Sequence, residues 1–167
     1  AYVYFDELSK DPSSEKWGTL ALFKLTSILV LEEKYRKAAV NYKKLLDMDI
    51  EQSIYENVLF NLGIVYKKLR QYGNAKKYFE KLAETTKDID LKGETLLKLG
   101  EIYQIMGLYK RVEEVYSYVI VNGTKQAQVE GEYWLGEFLF NQGKYDRAIE
   151  EFMKIVYLYK EFTMWVN

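Results

Sequence analysis

Paired carboxylates are the residues whose spacing comes closest to that of a catalytic or metal-binding site. Glu94 and Glu101 are seven residues apart, as are Glu130 and Glu137. On a helix this separation is about two turns, so each pair would share one face. General acid–base catalysis needs such groups to converge in a pocket with shifted pKa values. We interpret the pairs instead as a solvated acidic stripe that borders a binding groove.

The chain lacks the residue types on which most enzyme mechanisms depend, since it contains neither cysteine nor histidine. This excludes thiol nucleophiles, disulfides, imidazole metal ligands and every catalytic triad that needs a histidine base. The sequence also has no Gly-rich phosphate loop and no GxSxG nucleophile elbow. We therefore predict a non-catalytic protein with no catalytic residue, no cofactor and no metal.

Nucleic acids and membranes are also disfavoured as partners. One local basic cluster is present, formed by Lys67, Lys68, Arg70, Lys76 and Lys77. However, the 24 basic residues are balanced by 25 acidic ones, giving a net charge of −1, whereas a nucleic-acid surface needs an extended basic stripe. No apolar run is long enough to cross a bilayer, so we predict no direct membrane insertion.

The residues that would position these side chains recur along the chain. Aligned copies of one stretch give columns of matching residues: Thr26, Gly63, Gly100 and Gly136; Tyr35, Tyr72, Tyr109 and Tyr145; Ala38, Ala75, Val112 and Ala148; Tyr42, Phe79, Tyr116 and Phe152; and Leu45, Leu82, Val119 and Ile155. Successive members are 36 or 37 residues apart. This spacing is typical of an all-α array built from paired helices. We expect the glycines at tight helix crossings and the large aromatic residues between one pair and the next.

Apolar residues at three- and four-residue steps place a first and a second helix in each copy. We predict first helices at about 14–32, 51–69, 89–106 and 125–141, and second helices at about 35–48, 72–86, 109–121 and 145–160. The repeats then span about 14–50, 51–87, 88–124 and 125–161. Residues 1–9 resemble the second helix of a truncated repeat, and 162–167 the start of a truncated fifth. The whole chain, 1–167, is predicted to be a single array.

Local signals predict how the helices begin and end. Asp49, Asp88 and Thr124 are expected N-caps, and Asn122-Gly123 is expected to end a helix in the left-handed conformation. Gly107 and Gly143 suit tight turns between paired helices. The equivalent turns hold Glu33 and Arg70, so we expect those two turns to be made differently or under strain.

The chain resembles the tetratricopeptide repeat family. The resemblance rests on Leu62-Gly63-Ile64-Val65-Tyr66 with Tyr72-Gly73-Asn74-Ala75, and on Trp134-Leu135-Gly136-Glu137 with the segment from Gln142 to Glu150. It covers nearly the whole chain. The spacing departs from the usual 34 residues of this repeat, and the surplus falls between units. The stretched spacing is similar to that of bacterial envelope-associated members, which implies a periplasmic or cell-envelope location ahead of a cytoplasmic one.

The resemblance implies a right-handed α-α superhelix whose first helices line a concave groove for a peptide or helix of another protein. The lysine–asparagine clamp of members that bind chaperone C-termini is missing here. The predicted partner-binding residues are an apolar strip with acidic and amide edges: Phe23, Asn57, Phe60, Asn61, Ile64, Glu94, Leu97, Glu101, Glu130, Tyr133, Glu137 and Phe140. Some of these residues would alternatively pack against the neighbouring second helix.

A groove of this composition suits an apolar segment that carries basic residues, so the predicted function is that of a protein–protein interaction scaffold. Two alternatives remain open. Apolar faces at the array ends would allow self-assembly into a homo-oligomer. The chain would otherwise be a helical accessory domain of a larger envelope-associated protein.

Overall fold

The structure is a computed structural model that describes residues 15–158. Within that range the chain forms eight helices and no strand: α1 (Glu15–Leu31), α2 (Tyr35–Leu46), α3 (Gln52–Lys68), α4 (Tyr72–Thr85), α5 (Ile89–Ile105), α6 (Tyr109–Asn122), α7 (Lys125–Asn141) and α8 (Tyr145–Leu158). The predicted all-α fold is confirmed, and every predicted helix in this range is found with ends that differ by at most two residues. The predictions for 1–9 and 162–167 lie outside the described residues. None of the described helices is long and apolar enough to span a bilayer.

Contacts within the chain group the helices into two compact units, residues 1–82 and residues 83–167. In the first unit α2 packs against both α1 and α3. The rings of Phe60 and Phe79 join α3 to α4, with centroids 5.7 Å apart. In the second unit α6 packs against α5 and α7, α8 packs against α7, and α5 also contacts α7. Each unit thus contains two successive pairs of helices.

Members of several repeated columns lie in the core of each unit. The large side chains fully buried in the first unit are Leu29, Tyr42, Leu45, Leu59, Leu62, Phe79 and Leu82. Those in the second unit are Ile102, Tyr103, Tyr116, Phe138 and Leu139. Burying one such side chain contributes about 1.5–3 kcal/mol, so these contacts supply most of the driving force for folding. The residues that recur at helical spacing in the sequence therefore include many of the buried core residues.

The glycine column receives the aromatic column of the same helix pair. An added β-carbon on the glycine would overlap the aromatic ring of the second helix in three pairs: Gly63 with Phe79, Gly100 with Tyr116 and Gly136 with Phe152. The expectation that these rings fill the space between one pair and the next is therefore wrong. Thr26 takes the glycine position in the first pair, where its buried Oγ1 donates to the carbonyl of Leu22 at 2.6 Å.

All four turns between paired helices use the left-handed conformation. Gly107 and Gly143 have φ of 72°, as expected. Glu33 and Arg70 have φ of 57° in the equivalent turns. A side chain with a β-carbon is strained in this region. The prediction of strain at Glu33 and Arg70 is thus confirmed, and the same turn is made in all four repeats.

The predicted helix ends need three corrections. The N-cap of α3 is Glu51 rather than Asp49, because the helix begins two residues later. Thr124 stands at the N-cap of α7, but its side chain makes no capping hydrogen bond. Gly123 has φ of −78°, outside the left-handed region, and a β-carbon there would lie 2.6 Å from the carbonyl oxygen of Val119. Glycine is needed at position 123 for space, not for backbone conformation.

Candidate functional site

A cleft of about 410 Å³ lies between α5 and α7 in the second unit. Both are first helices of their pairs, and they contact each other directly. The cleft is lined by Asp90, Glu94, Leu97, Lys98, Thr124, Gln126, Ala127, Glu130 and Trp134. It therefore combines an apolar surface with several charged and polar side chains.

Helical periodicity places these side chains on two facing stripes. On α5, Asp90, Glu94 and Lys98 follow one another at steps of four residues, and so do Gln126, Glu130 and Trp134 on α7. Residues at this spacing lie above one another on one side of a helix. The first turn of α5 is fixed by Asp88, whose side chain accepts a hydrogen bond from the Leu91 N–H at 3.0 Å. The predicted N-cap at Asp88 is therefore confirmed, and it holds the end of the helix that carries Asp90.

The cleft carries an excess of negative charge. Its three carboxylates, on Asp90, Glu94 and Glu130, face one ammonium group, that of Lys98. The Lys98 Nζ also lies 3.4 Å from Glu101 Oε1 on the same helix. This ion pair with Glu101 reduces the positive charge that Lys98 offers to the cleft carboxylates. Gln126 Nε2 donates to Glu130 Oε1 at 3.1 Å and so orients that carboxylate. The result is an anionic site that attracts cationic groups.

The apolar part of the cleft is a floor and an aromatic wall. Leu97 and Ala127 are buried. Trp134 is 37% exposed, and its ring packs edge-on against Tyr133 at a centroid distance of 5.2 Å. An indole held in this way offers both apolar contact and a face for a cation.

Three of the predicted site residues lie in this cleft, namely Glu94, Leu97 and Glu130. Four others from the second unit do not line it, namely Glu101, Tyr133, Glu137 and Phe140. The half-buried ring of Tyr133 packs against Phe152 at 6.1 Å, and exposed Phe140 packs against Tyr145 at 5.4 Å. Each seven-residue carboxylate pair thus contributes only one member to the cleft lining.

The sequence reasoning missed six of the lining residues: Asp90, Lys98, Thr124, Gln126, Ala127 and Trp134. A signal for several of them was present in the four-residue steps from Asp90 to Lys98 and from Gln126 to Trp134. Those steps mark neighbours on a helix face more directly than a seven-residue separation does. No local sequence pattern predicts which first helices approach each other closely enough to form a cleft.

The predicted residues of the first unit are partly used in packing. Phe23 and Phe60 are half-buried, with ring centroids 6.0 Å from Tyr42 and 5.7 Å from Phe79 respectively. Ile64 is also half-buried, whereas Asn57 is exposed. The side-chain nitrogens of Asn57 and Asn61 donate to backbone carbonyls one turn earlier, at 2.8 Å in each case. Phe23 and Phe60 therefore pack against their own second helices while keeping part of their surface in solvent.

Glu132 is a buried carboxylate that the sequence reasoning also missed. It is 4% exposed, and its Oε2 has no hydrogen-bond partner. The same register position holds buried leucines in the other repeats: Leu22, Leu59 and Leu96. Burial raises the pKa of Glu132, the ammonium of Lys154 opposes this effect, and the carboxylate of Glu151 adds to it. Among residues 15–158, no group of three or more carboxylates lies close enough together to hold a metal ion.

Comparison with known proteins identifies the repeats and the fold. The sequence profile of the tetratricopeptide repeat matches residues 56–88 and 133–162. MamA from Desulfovibrio magneticus RS-1, solved from residue 41 to its end, has 18% identity and a TM-score of 0.74, covering 95% of this chain and 85% of its own. YrrB, described as a tetratricopeptide repeat protein with an unusual peptide-binding site, has 20% identity and a TM-score of 0.67. The match covers 93% of this chain and 73% of the YrrB chain. PilF from Pseudomonas aeruginosa has 17% identity and a TM-score of 0.59, and the match covers 89% of this chain and 64% of the PilF chain. No curated protein sequence matches the chain.

Proposed function

Because the chain carries tetratricopeptide repeats, a fold that generally serves as a protein-interaction scaffold, we propose that it binds a segment of another protein in the cleft between α5 and α7. The observation that carries this proposal is the mixed lining of the cleft, with buried Leu97 and Ala127 beside three carboxylates. The peptide-binding site described for YrrB, which shares the fold, supports a peptide as the ligand.

The partner segment carries at least one lysine or arginine next to apolar residues. Its cation is attracted by Asp90, Glu94 and Glu130, while its apolar side chains contact Leu97 and the face of Trp134. Charge complementarity of this kind speeds encounter and selects the partner. Contact with the floor and with the indole supplies the apolar burial that holds the complex together.

A rigid receptor favours this mode of binding. Both helices that form the cleft are 17 residues long, and Asp88 caps the start of α5. Because the cleft is built from regular helices, little conformational entropy is lost on the receptor side when a segment docks. The remaining predicted residues are proposed as protein contacts of the unit that carries them. They are Glu101, Tyr133, Glu137 and Phe140 in the second unit, and Phe23, Asn57, Phe60, Asn61 and Ile64 in the first unit.

Peptide selection tests this proposal directly. The chain is screened against a random peptide library, and we expect the enriched peptides to combine lysine or arginine with aromatic or aliphatic residues. The variant Glu94→Lys/Glu130→Lys should lose these peptides. The matched control Glu84→Lys/Glu150→Lys makes the same charge change at exposed acidic positions outside the cleft lining and should retain them.

Circular dichroism of both variants checks that the helices remain intact. Equal peptide affinity in the two variants, or enrichment of peptides without basic residues, would reject the cleft as the binding site.

A further inference from the structure

The two helices that form the cleft run in the same direction, because each is antiparallel to α6. The start of α5 and the end of α6 border a small cavity of about 50 Å³, which Ile89 and Asn122 help to line. The start of α6 lies beside the end of α7, where the rings of Tyr109 and Phe138 have centroids 5.7 Å apart. The side chains of the two cleft walls can therefore be compared level by level along one axis.

A close contact fixes the register of the two walls. A β-carbon added to Gly93 of α5 would lie 3.1 Å from the β-carbon of Ala127 on α7. At the helical rise of about 1.5 Å per residue, Glu94 and Glu130 then differ by about 3 Å along the helix axes. Both line the cleft, one on each wall. A cation between the walls can thus be contacted by one carboxylate from each side.

Both carboxylates keep acceptor capacity for a ligand. Glu130 Oε1 accepts a hydrogen bond from Gln126 Nε2 at 3.1 Å, which orients the group and uses only part of its acceptor sites. The ammonium of Lys98 lies 3.4 Å from Glu101, three residues further along α5, whereas Glu94 lies four residues earlier. The one lysine of the cleft lining is therefore drawn away from Glu94.

The indole of Trp134 borders the same space. Trp134 follows Glu130 by four residues, and long side chains on a helix lean back over the preceding turn, so the ring leans toward this carboxylate. Tyr133 packs edge-on against the indole at 5.2 Å, and its own ring lies 6.1 Å from that of Phe152. Trp134 is nevertheless 37% exposed. Its ring is thus supported from one side and keeps free surface for a ligand.

We propose that the cation of the partner segment is an arginine, and that Trp134 is the residue that selects arginine over lysine. The guanidinium stacks on the indole and donates hydrogen bonds to Glu94 and Glu130. This inference rests on the binding function proposed for the cleft and names the side chain that the cleft recognises.

The chemistry of the two basic side chains explains the choice. A guanidinium is planar and carries five donors in a fork, so it can use the indole face and both carboxylates at once. An ammonium is a compact and more strongly hydrated charge, so it gains less from an aromatic ring. The cleft volume of about 410 Å³ lies within the usual range of ligand pockets. It leaves Leu97 and the rest of the indole surface to the apolar residues of the segment.

Paired peptides test the selection. A peptide recovered from the random library with the native chain is made with arginine and with lysine at the same position, and both affinities are measured by isothermal titration. We expect the native chain to prefer arginine by about fivefold to thirtyfold, the range of a partly desolvated cation–π contact. In Trp134→Leu, which keeps an apolar side chain but removes the ring, the preference should fall to about twofold or less. Trp134→Phe keeps a smaller aromatic face and should be intermediate.

Tyr118→Leu is the matched control, because Tyr118 is an exposed aromatic residue of α6 outside the cleft lining. It should retain the full preference, and circular dichroism checks that all variants are folded. Equal affinity of the native chain for the two peptides would overturn the arginine assignment and leave the proposed function standing. A preference that survives in Trp134→Leu would overturn the role of Trp134. Failure of the native chain to recover any basic peptide would reject the proposed function, and this inference with it.

Discussion

The ring of Tyr116 lies directly on Gly100, on adjacent helices of one repeat. A β-carbon at Gly100 would overlap the ring of Tyr116, and the nearest atoms it would meet all belong to that side chain. Tyr116 is fully buried, and its hydroxyl accepts a hydrogen bond from Gln104 Nε2 at 3.0 Å. The ring is therefore fixed by its surroundings and has little room to move aside. A glycine is required here by the space that the tyrosine occupies.

Substitution of this glycine should be costly. We expect Gly100→Ala to lower the free energy of unfolding by about 1–3 kcal/mol, the usual penalty for overpacking a filled core. Chemical denaturation followed by circular dichroism measures the change. Gly73→Ala is the matched control, because a β-carbon there meets nothing within 4 Å, and it should be neutral or stabilising. Equal effects of the two substitutions would show that the Tyr116 ring can move aside to make room for the added methyl group.

Relief of backbone strain should stabilise the first unit. We expect Arg70→Gly to raise the free energy of unfolding by about 0.5–1 kcal/mol, since glycine avoids the cost of φ at 57° but loses more backbone entropy on folding. Thermal unfolding reports this gain. The reverse change, Gly107→Arg, places a side chain at φ of 72° and should destabilise the second unit. A loss of stability in Arg70→Gly would mean that the arginine side chain makes a compensating contact.

Replacement of the buried carboxylate should also stabilise the protein. Glu132→Leu restores the residue type found at Leu22, Leu59 and Leu96 and removes an oxygen without a partner. We expect a gain of about 1–3 kcal/mol in the free energy of unfolding at pH 7. Glu132→Gln keeps an unpaired polar group and should gain less. A destabilised Glu132→Leu variant would show that the carboxylate is satisfied in solution.

The same residue predicts a pH dependence. The folded-state pKa of Glu132 is raised above its ordinary value of 4.5, mainly by burial. Its contribution to stability is therefore full below pH 4.5 and is lost as the pH rises through the folded-state pKa. We expect the advantage of Glu132→Leu over the native chain to shrink as the pH falls toward 4. Denaturation midpoints of both proteins between pH 4 and pH 8 provide the measurement, and parallel curves would contradict the prediction.

The ion pair between α6 and α8 should show the opposite pH dependence. Hydrogen bonds from Lys144 and Arg147 lower the pKa of Glu113. The stability this group supplies is present above its ordinary pKa of 4.5 and is lost as the pH falls through its lowered value. Because the three side chains are partly exposed, we expect Glu113→Gln to cost at most about 1 kcal/mol. A double-mutant cycle with Arg147→Gln at low and high salt measures the coupling, which should decrease with salt.

The sequence by itself determined the repeat, the helices and the identity of most core positions. Apolar residues at three- and four-residue steps specify a helix face whatever it packs against. The column that contains Gly63, Gly100 and Gly136 is visible in the sequence because the paired helices pack in the same way in each of these repeats. The left-handed turns at Gly107 and Gly143 were also predictable, because glycine relieves a steric restriction on the backbone of a single residue.

Only the tertiary structure decided which side chains share a site. The cleft takes Glu94 and Glu130 from helices 36 residues apart in register and leaves out Glu101 and Glu137, because its lining depends on how α5 and α7 approach each other. The contact of Phe79 with Gly63 likewise depends on the rotation of two helices about their axes. The buried state of Glu132 was hidden for a related reason, since a charged residue in a leucine column is recognised as buried only when the helices around it are in place.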